Sequence, residues 1–142
     1  MFIRIDDTIS VAGQLSPADL ADAKRQGFAL VINNRPDGEA PDQPAGAAMA
    51  EAAAANGLTY VEIPVAGGFS MPQVEAMATA LAGAPGPVLA FCRSGTRSTN
   101  LWALANAARG GDPAAIVAAA GAAGYDVSGL MPALRQLAAA PR

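Results

Sequence analysis

The sequence has no histidine, one cysteine and one lysine in 142 residues. Without histidine it lacks the commonest general base, the commonest transition-metal ligand and every Cys–His or Ser–His pair, which excludes triads and metal catalysis. One cysteine cannot make an internal disulfide, a zinc cluster or a two-cysteine redox pair. A net charge of −3, with a single lysine, gives no electrostatic footprint for nucleic acid. No apolar run approaches the roughly twenty residues of a membrane span. The opening MFIRIDDTIS has neither a basic nor a long apolar region. These features predict a cytoplasmic protein with no membrane partner, no metal and no cofactor.

Apolar and small residues, in contrast, are plentiful. Hydrophobic residues make up 52% of the chain and charged residues 15%, with Gly and Pro interrupting the apolar runs, so a packed core is expected. The length suits one domain over residues 1–142. Thirty-six alanines cluster in stretches such as EAAAAN and AAIVAAAGAAG. Caps and turn residues between those stretches mark them as helices rather than low-complexity sequence.

The element order alternates. FIRI and ISVAG flank Asp6-Asp7 as a short hairpin. Ser16-Pro17-Ala18-Asp19 and Gly27 bracket a helix over 17–26. The run 28–34 predicts a first core strand, 58–65 a second and 87–92 a third. Helices are expected over 45–56, from Ser70-Gln73 in capping-box spacing to about Ala82, over 99–108, after Asp112-Pro113, and from Ser128 to about Ala139. Such alternation predicts an α/β fold, a mostly parallel central sheet with helices on both faces.

In that order the stretch AFCRSGTRSTN, residues 90–100, falls where a buried parallel strand gives way to a helix, at the edge where open α/β sheets bind ligands. Backbone amides there form a cradle for an anion. Cys92 begins that cradle. The same field, with Arg93 and Arg97, favours its thiolate. A lone cysteine ending an apolar strand is ordinarily an inert core thiol. Such a thiol has no need of Arg93, Ser94, Gly95, Thr96, Arg97 and Ser98 beside it, and the whole constellation points to a site. Trp102, one turn beyond Ser98, and Met71, Met77 and Met131 are expected to pack. Phe69 reaches the site only if its loop folds over it.

Cys-Arg-Ser-Gly-Thr-Arg-Ser resembles the active-site loop of single-domain rhodaneses, sulfurtransferases that hold sulfur as a cysteine persulfide. It also resembles the loop of cysteine-dependent phosphatases, which place five residues between cysteine and arginine where this chain has four. VINNRPDGE (31–39), GLTYVEIPV (57–65), GPVLAFCRSGTRSTNLWAL (86–104) and AGYDVSGL (123–130) together resemble a small bacterial family, the phosphatase-like domain of beta-lactamase hydrolase-like proteins. That resemblance implies a fold of the dual-specificity phosphatase type. Members have been called phosphatases and sulfurtransferases, and some are fused to a persulfide dioxygenase, which makes such an enzyme an implied partner.

Fold does not settle function, so the loop must decide between the chemistries. A phosphoryl transition state needs amides around three equatorial oxygens, a bidentate arginine and an acid for the leaving alcohol. The loop after IPV reads AGGFS and holds no acid; Asp37 and Glu39 are the substitutes, with Arg35 beside them at the mouth of the site or in a plain turn at Pro36-Asp37-Gly38. A shorter loop fits a single sulfur atom, and sulfite or a thiol leaves without a strong acid. This ranks sulfur transfer first: Cys92 takes sulfane sulfur from thiosulfate or a persulfide and passes it to an acceptor thiol, Arg97 and Arg93 attract the donor, and Thr96 or Ser98 bonds the sulfur. Hydrolysis of a phosphate ester ranks second. A non-catalytic module that binds an anion or a partner ranks third.

Overall fold

The computed structural model describes residues 1–141; Arg142 lies outside the described residues. Five strands form one sheet in the order β1-β2-β5-β3-β4. They are β1 (Ile3–Arg4), β2 (Ile9–Ala12), β3 (Leu30–Asn33), β4 (Thr59–Glu62) and β5 (Val88–Phe91). Only the β1–β2 pair is antiparallel; β2, β3 and β4 join through parallel ladders to β5 or to each other. Six helices complete the order: α1 (Asp19–Arg25), α2 (Gly46–Ala55), α3 (Met71–Ala82), α4 (Thr96–Ala108), α5 (Pro113–Ala122) and α6 (Met131–Ala139). A 3-10 turn at Ser128–Leu130 leads into α6.

The strand period of two sorts the core into two layers. Leu30, Ile32, Val88 and Ala90 face the helices α3 to α6, where Val74, Met77, Leu101, Trp102, Ile116 and Leu134 pack on them. Val31, Leu89 and Phe91 face α1 and α2 and meet Leu20, Ala23, Met49 and Ala53. Helices therefore cover both faces. Alanine-rich α2 and α5 need no strong amphipathic stripe, because small side chains let a helix sit close to its neighbours. Emptying the Trp102 site would cost about 3–5 kcal/mol, since the side chain is only 2% exposed.

The structure keeps the capping box on α3, where Ser70 Oγ accepts from Gln73 N and the Gln73 side chain accepts from Ser70 N. It departs from the sequence reading at four points. The helix expected over 17–26 is shorter, because Pro17 and Ala18 form a turn closed by reciprocal bonds between Ser16 and Asp19. The strand expected as a second core strand is β4, an edge strand paired to β3 alone and partly exposed along its length. Met71, expected as a gap-filler, is half exposed, whereas Met77 is buried. Helix α4 begins at Thr96, three residues before the expected start. That last difference shapes the site, because it brings Arg97 and Ser98 into the first helical turn.

Candidate active site

Cys92 follows β5 at the carboxyl edge of the sheet and is buried. Its backbone N–H donates to Ala12 O at 3.3 Å, which ties the start of the loop to β2. Gly13, the first residue after that neighbouring strand, leaves room for the loop: a Cβ there would lie 3.1 Å from Arg93 O. The chain then turns through Gly95, at φ 88° and ψ −11°, a left-handed conformation suited to glycine. This turn aims Gly95 N–H at Cys92 Sγ, 3.1 Å away. Burial pushes the thiol pKa up, but N–H groups of Ser98 and Ser94, the Ser98 hydroxyl and Gly95 N–H more than offset it, so the net shift is downward. The thiolate thus sits over the start of α4, among amides that α4 cannot use in its own hydrogen bonds.

Ser98 is fully buried and donates its hydroxyl to Asn34 Oδ1 at 2.8 Å. Asn34 Nδ2 donates in turn to Ile63 O at 3.0 Å, which fixes the amide so that its oxygen faces Ser98. The Ser98 hydroxyl has one hydrogen and two acceptors in reach, Asn34 and Sγ, so it can follow charge on the sulfur. Thr99 Oγ1 donates to Gly95 O at 2.8 Å and closes the first turn from within. Ser94 and Thr96 are exposed, and Ser94 Oγ donates to Thr96 Oγ1 at 3.1 Å on the rim. Arg93 is also exposed, and its side chain makes no hydrogen bond or ion pair among the described residues.

Arg97 is held from the opposite side. Its Nη1 donates to Glu39 Oε2 at 2.7 Å and to Val65 O at 2.7 Å, and its Nη2 donates to Glu39 Oε1 at 2.8 Å. These bonds use both Nη1 hydrogens and one of the two on Nη2. Nε–H and the second Nη2–H remain, a parallel pair suited to two oxygens of one anion. Arg97 also interacts electrostatically with Cys92. Glu39 bridges onward to Arg35, whose Nε donates to Oε1 at 2.9 Å while its Nη1 donates to Gln14 Oε1 at 3.0 Å. Hydrogen bonds from Arg97 and then Arg35 lower the Glu39 pKa from 4.5 to about 2.

The structure thus brings together Cys92, Gly95, Arg97, Ser98, Glu39 and Arg35, with Ser94, Thr96 and Arg93 on the rim. Asp37 stands apart: its Oδ1 accepts from Gly46 N at 2.8 Å, at the start of α2. Gly46 leaves room there for the Glu62 carboxylate, which a Cβ would displace. Glu39 is ionised with both oxygens occupied and has no proton to give, while Asp37 spends one carboxylate oxygen on the start of α2. Phe69 packs against the core cluster. Sequence reasoning missed Gln14, Asn34 and Tyr125, whose hydroxyl donates to Ser94 O at 3.1 Å. Asn34 could have been found from its place one residue past a fully buried strand, where a polar side chain must find partners. Among the described residues no group of three His, Cys, Asp or Glu could hold a metal ion, and no helix is long and apolar enough to cross a membrane.

Comparison with known proteins places this geometry. The family described as beta-lactamase hydrolase-like protein, phosphatase-like domain, matches residues 2–109, and the chain belongs to it. A beta-lactamase hydrolase-like protein of Agrobacterium fabrum is 40% identical over 109 residues, which are 76% of this chain and 25% of that protein. The chain spans about a quarter of the length of the curated relatives it matches. A crystal structure from Neisseria meningitidis, of a protein provisionally named a phosphatase, is 31% identical with a TM-score of 0.81, covering 95% of this chain and 96% of its own. The P. aeruginosa protein TpbA, solved in complex with phosphotyrosine, has a TM-score of 0.61 at 19% identity, covering 94% of this chain and 90% of its own, which shows a shared fold. The fold is that of the tyrosine and dual-specificity phosphatases, and the domain is phosphatase-like.

Proposed function

From that family membership and the loop geometry, we propose that the chain is a cysteine-dependent phosphatase acting on phosphate monoesters whose leaving group departs without an acid, aryl esters foremost. The observation that supports it is the pairing of a buried thiolate, under Gly95 N–H at 3.1 Å, with an arginine whose free edge faces the same cradle. The Cys92 thiolate attacks phosphorus; the S–P bond forms as the P–O bond to the leaving group breaks. Arg97 holds two of the three equatorial oxygens through Nε and Nη2, and the loop amides take the rest of the charge. Water then attacks the phosphocysteine, releases inorganic phosphate and returns the thiolate, while the Ser98 hydroxyl turns toward the sulfur as its charge reappears. Phenolates, with a conjugate-acid pKa of about 10, leave far more readily than alkoxides. A site with an ionised Glu39 and a capping Asp37 therefore selects aryl esters, and exposed Arg93 adds attraction for the dianion.

The ranking reverses the one drawn from loop length. The family description and the solved relatives speak for phosphoryl chemistry, and they carry hydrolysis ahead of sulfur transfer. Sulfur transfer remains the second reading because only four residues separate Cys92 from Arg97. In it the thiolate attacks the outer sulfur of thiosulfate, an S–S bond forms as the bond to sulfite breaks, and an acceptor thiol later takes that sulfur. A persulfide dioxygenase partner belongs to this second reading alone.

One paired experiment separates the two. Aryl phosphate turnover is measured on wild type and Cys92→Ser, alongside intact mass after brief exposure to thiosulfate. Turnover that disappears in the variant, with no added sulfur on the wild type, is the expected result. One added sulfur, absent in Cys92→Ser and discharged by a thiol, together with negligible turnover, would put sulfur transfer in its place.

A further inference from the structure

Tyr125 lies beyond residues 2–109 matched by the family, yet it reaches into the loop. Helix α5 ends with Gly124 in the left-handed conformation, at φ 98°, and Tyr125 N–H donates back to Ala120 O at 2.9 Å. That closure fixes where the side chain leaves the helix. The ring packs against the core beneath α4 to α6, and the phenol hydroxyl donates to Ser94 O at 3.1 Å. Ser94 C=O and Gly95 N–H belong to one peptide unit, and Gly95 N–H donates to Cys92 Sγ. In a trans peptide these two groups point in opposite directions. The two hydrogen bonds therefore hold a single plane from its two sides.

We propose that Tyr125 is a positioning residue that locks the Ser94–Gly95 peptide with its N–H toward the nucleophile and its carbonyl away from it. The inference rests on Cys92 as the nucleophile of the proposed function, and not on which group Cys92 accepts. Without the phenol, rotation of this plane would turn Ser94 O toward Sγ, where a carbonyl dipole repels a thiolate. Gly95 is the residue that permits such rotation, since glycine occupies positive and negative φ alike. Its bare Cα also makes room for the lock: a Cβ on Gly95 would lie 2.3 Å from Tyr125 Oη. Burial, and then the charge on Cys92, hold the phenol proton in place, so the hydroxyl stays a donor.

Tyr125→Phe keeps the ring and removes only the hydroxyl. The measurements are iodoacetamide alkylation of Cys92 across pH, the Gly95 amide resonance across the same titration, and thermal melting. The expected result is a Cys92 titration moved to higher pH, with alkylation near pH 6.5 slowed by about threefold to tenfold, the bias of one hydrogen bond on the loop. The Gly95 amide should follow the Cys92 titration in wild type with the larger amplitude, while melting barely changes. Tyr125→Leu, which removes the ring as well, should match Tyr125→Phe in alkylation. An unchanged alkylation profile and Gly95 resonance in Tyr125→Phe would overturn the proposal, whatever turnover does. A slowed Leu variant beside an unchanged Phe variant would likewise overturn it, because ring packing rather than the hydroxyl would then set the loop. None of these readouts depends on phosphate or sulfane sulfur, so a failure of the proposed function would be seen separately.

Discussion

The loops that follow β5 and β3 leave the same carboxyl edge of the sheet, yet they are held in different ways. The β5–α4 loop is short and shaped by its own backbone: Gly95 N–H on Cys92 Sγ, Thr99 on Gly95 O, Cys92 N–H on β2. The β3–α2 loop is long, and the side chain of Glu39 fastens it between Arg35 and Arg97. The first makes the nucleophile; the second orients the cation that meets the substrate. Reactivity of Cys92 and recognition by Arg97 should therefore respond to different substitutions, although both residues belong to one seven-residue stretch.

Glu39→Gln tests that separation with the largest expected effect. It leaves Arg35 and Arg97 without their carboxylate and Arg97 tethered by its bond to Val65 O alone, so kcat/KM for an aryl phosphate should fall by about tenfold to a hundredfold, as for loss of a charged hydrogen-bond partner. Alkylation of Cys92 should change by less than about threefold, the scale of a weak electrostatic perturbation. Equal losses in both measurements would break the comparison and make the two loops one mechanical unit.

Acid should reveal the same bridge at smaller scale. The folded-state pKa of Glu39 is about 2 against 4.5 for a free side chain. A carboxylate lowered in this way stabilises the fold fully above its unfolded pKa, and that contribution is lost as pH falls through the folded one. The difference in melting temperature between wild type and Glu39→Gln should thus be constant from neutral pH to about 5 and shrink between 4.5 and 2. A difference that stays flat from about pH 5 down to 2 would mean that the carboxylate gains nothing on folding and that the bridge is not formed in solution.

The contrast also explains which parts can be read from sequence. Local determinants are legible: the capping box at Ser70-Gln73, the cap at Asp112, the apolar run of β5 and the loop from Cys92 to Ser98. The family resemblance and the parallel sheet follow from them. The edge position of β4 is not legible, because TYVE has the β-branched and aromatic content of any strand and its place follows from the order of crossovers. The start of α4 is hard to place because Thr96, Arg97 and Ser98 look like loop, no side chain caps the helix, and the Ser98 amide serves Sγ instead. Tertiary partners are hidden: Glu39 lies 58 residues from Arg97 and Tyr125 lies 31 from Ser94. Loop length favours sulfur chemistry because spacing is legible, whereas the relation to phosphatases lies in the whole fold.

Asp37 gives the smallest effect and the sharpest comparison with Glu39, two residues away. Its carboxylate accepts from Gly46 N–H, so Asp37→Asn, which keeps an oxygen acceptor but removes charge from the start of α2, should cost at most about 1 kcal/mol of stability. Turnover of an aryl phosphate should stay within about twofold of wild type, a change no larger than that of a substitution outside the reacting atoms. The decisive measurement is the leaving-group dependence of kcat in wild type and Asp37→Asn over aryl phosphates of rising phenol pKa. If Asp37 is a cap alone, the two slopes coincide and both are steep, because no acid relieves the developing charge on the leaving oxygen. A steeper slope in the variant would make Asp37 the acid, reached by movement of the β3–α2 loop, and the site would then have no reason to prefer aryl esters.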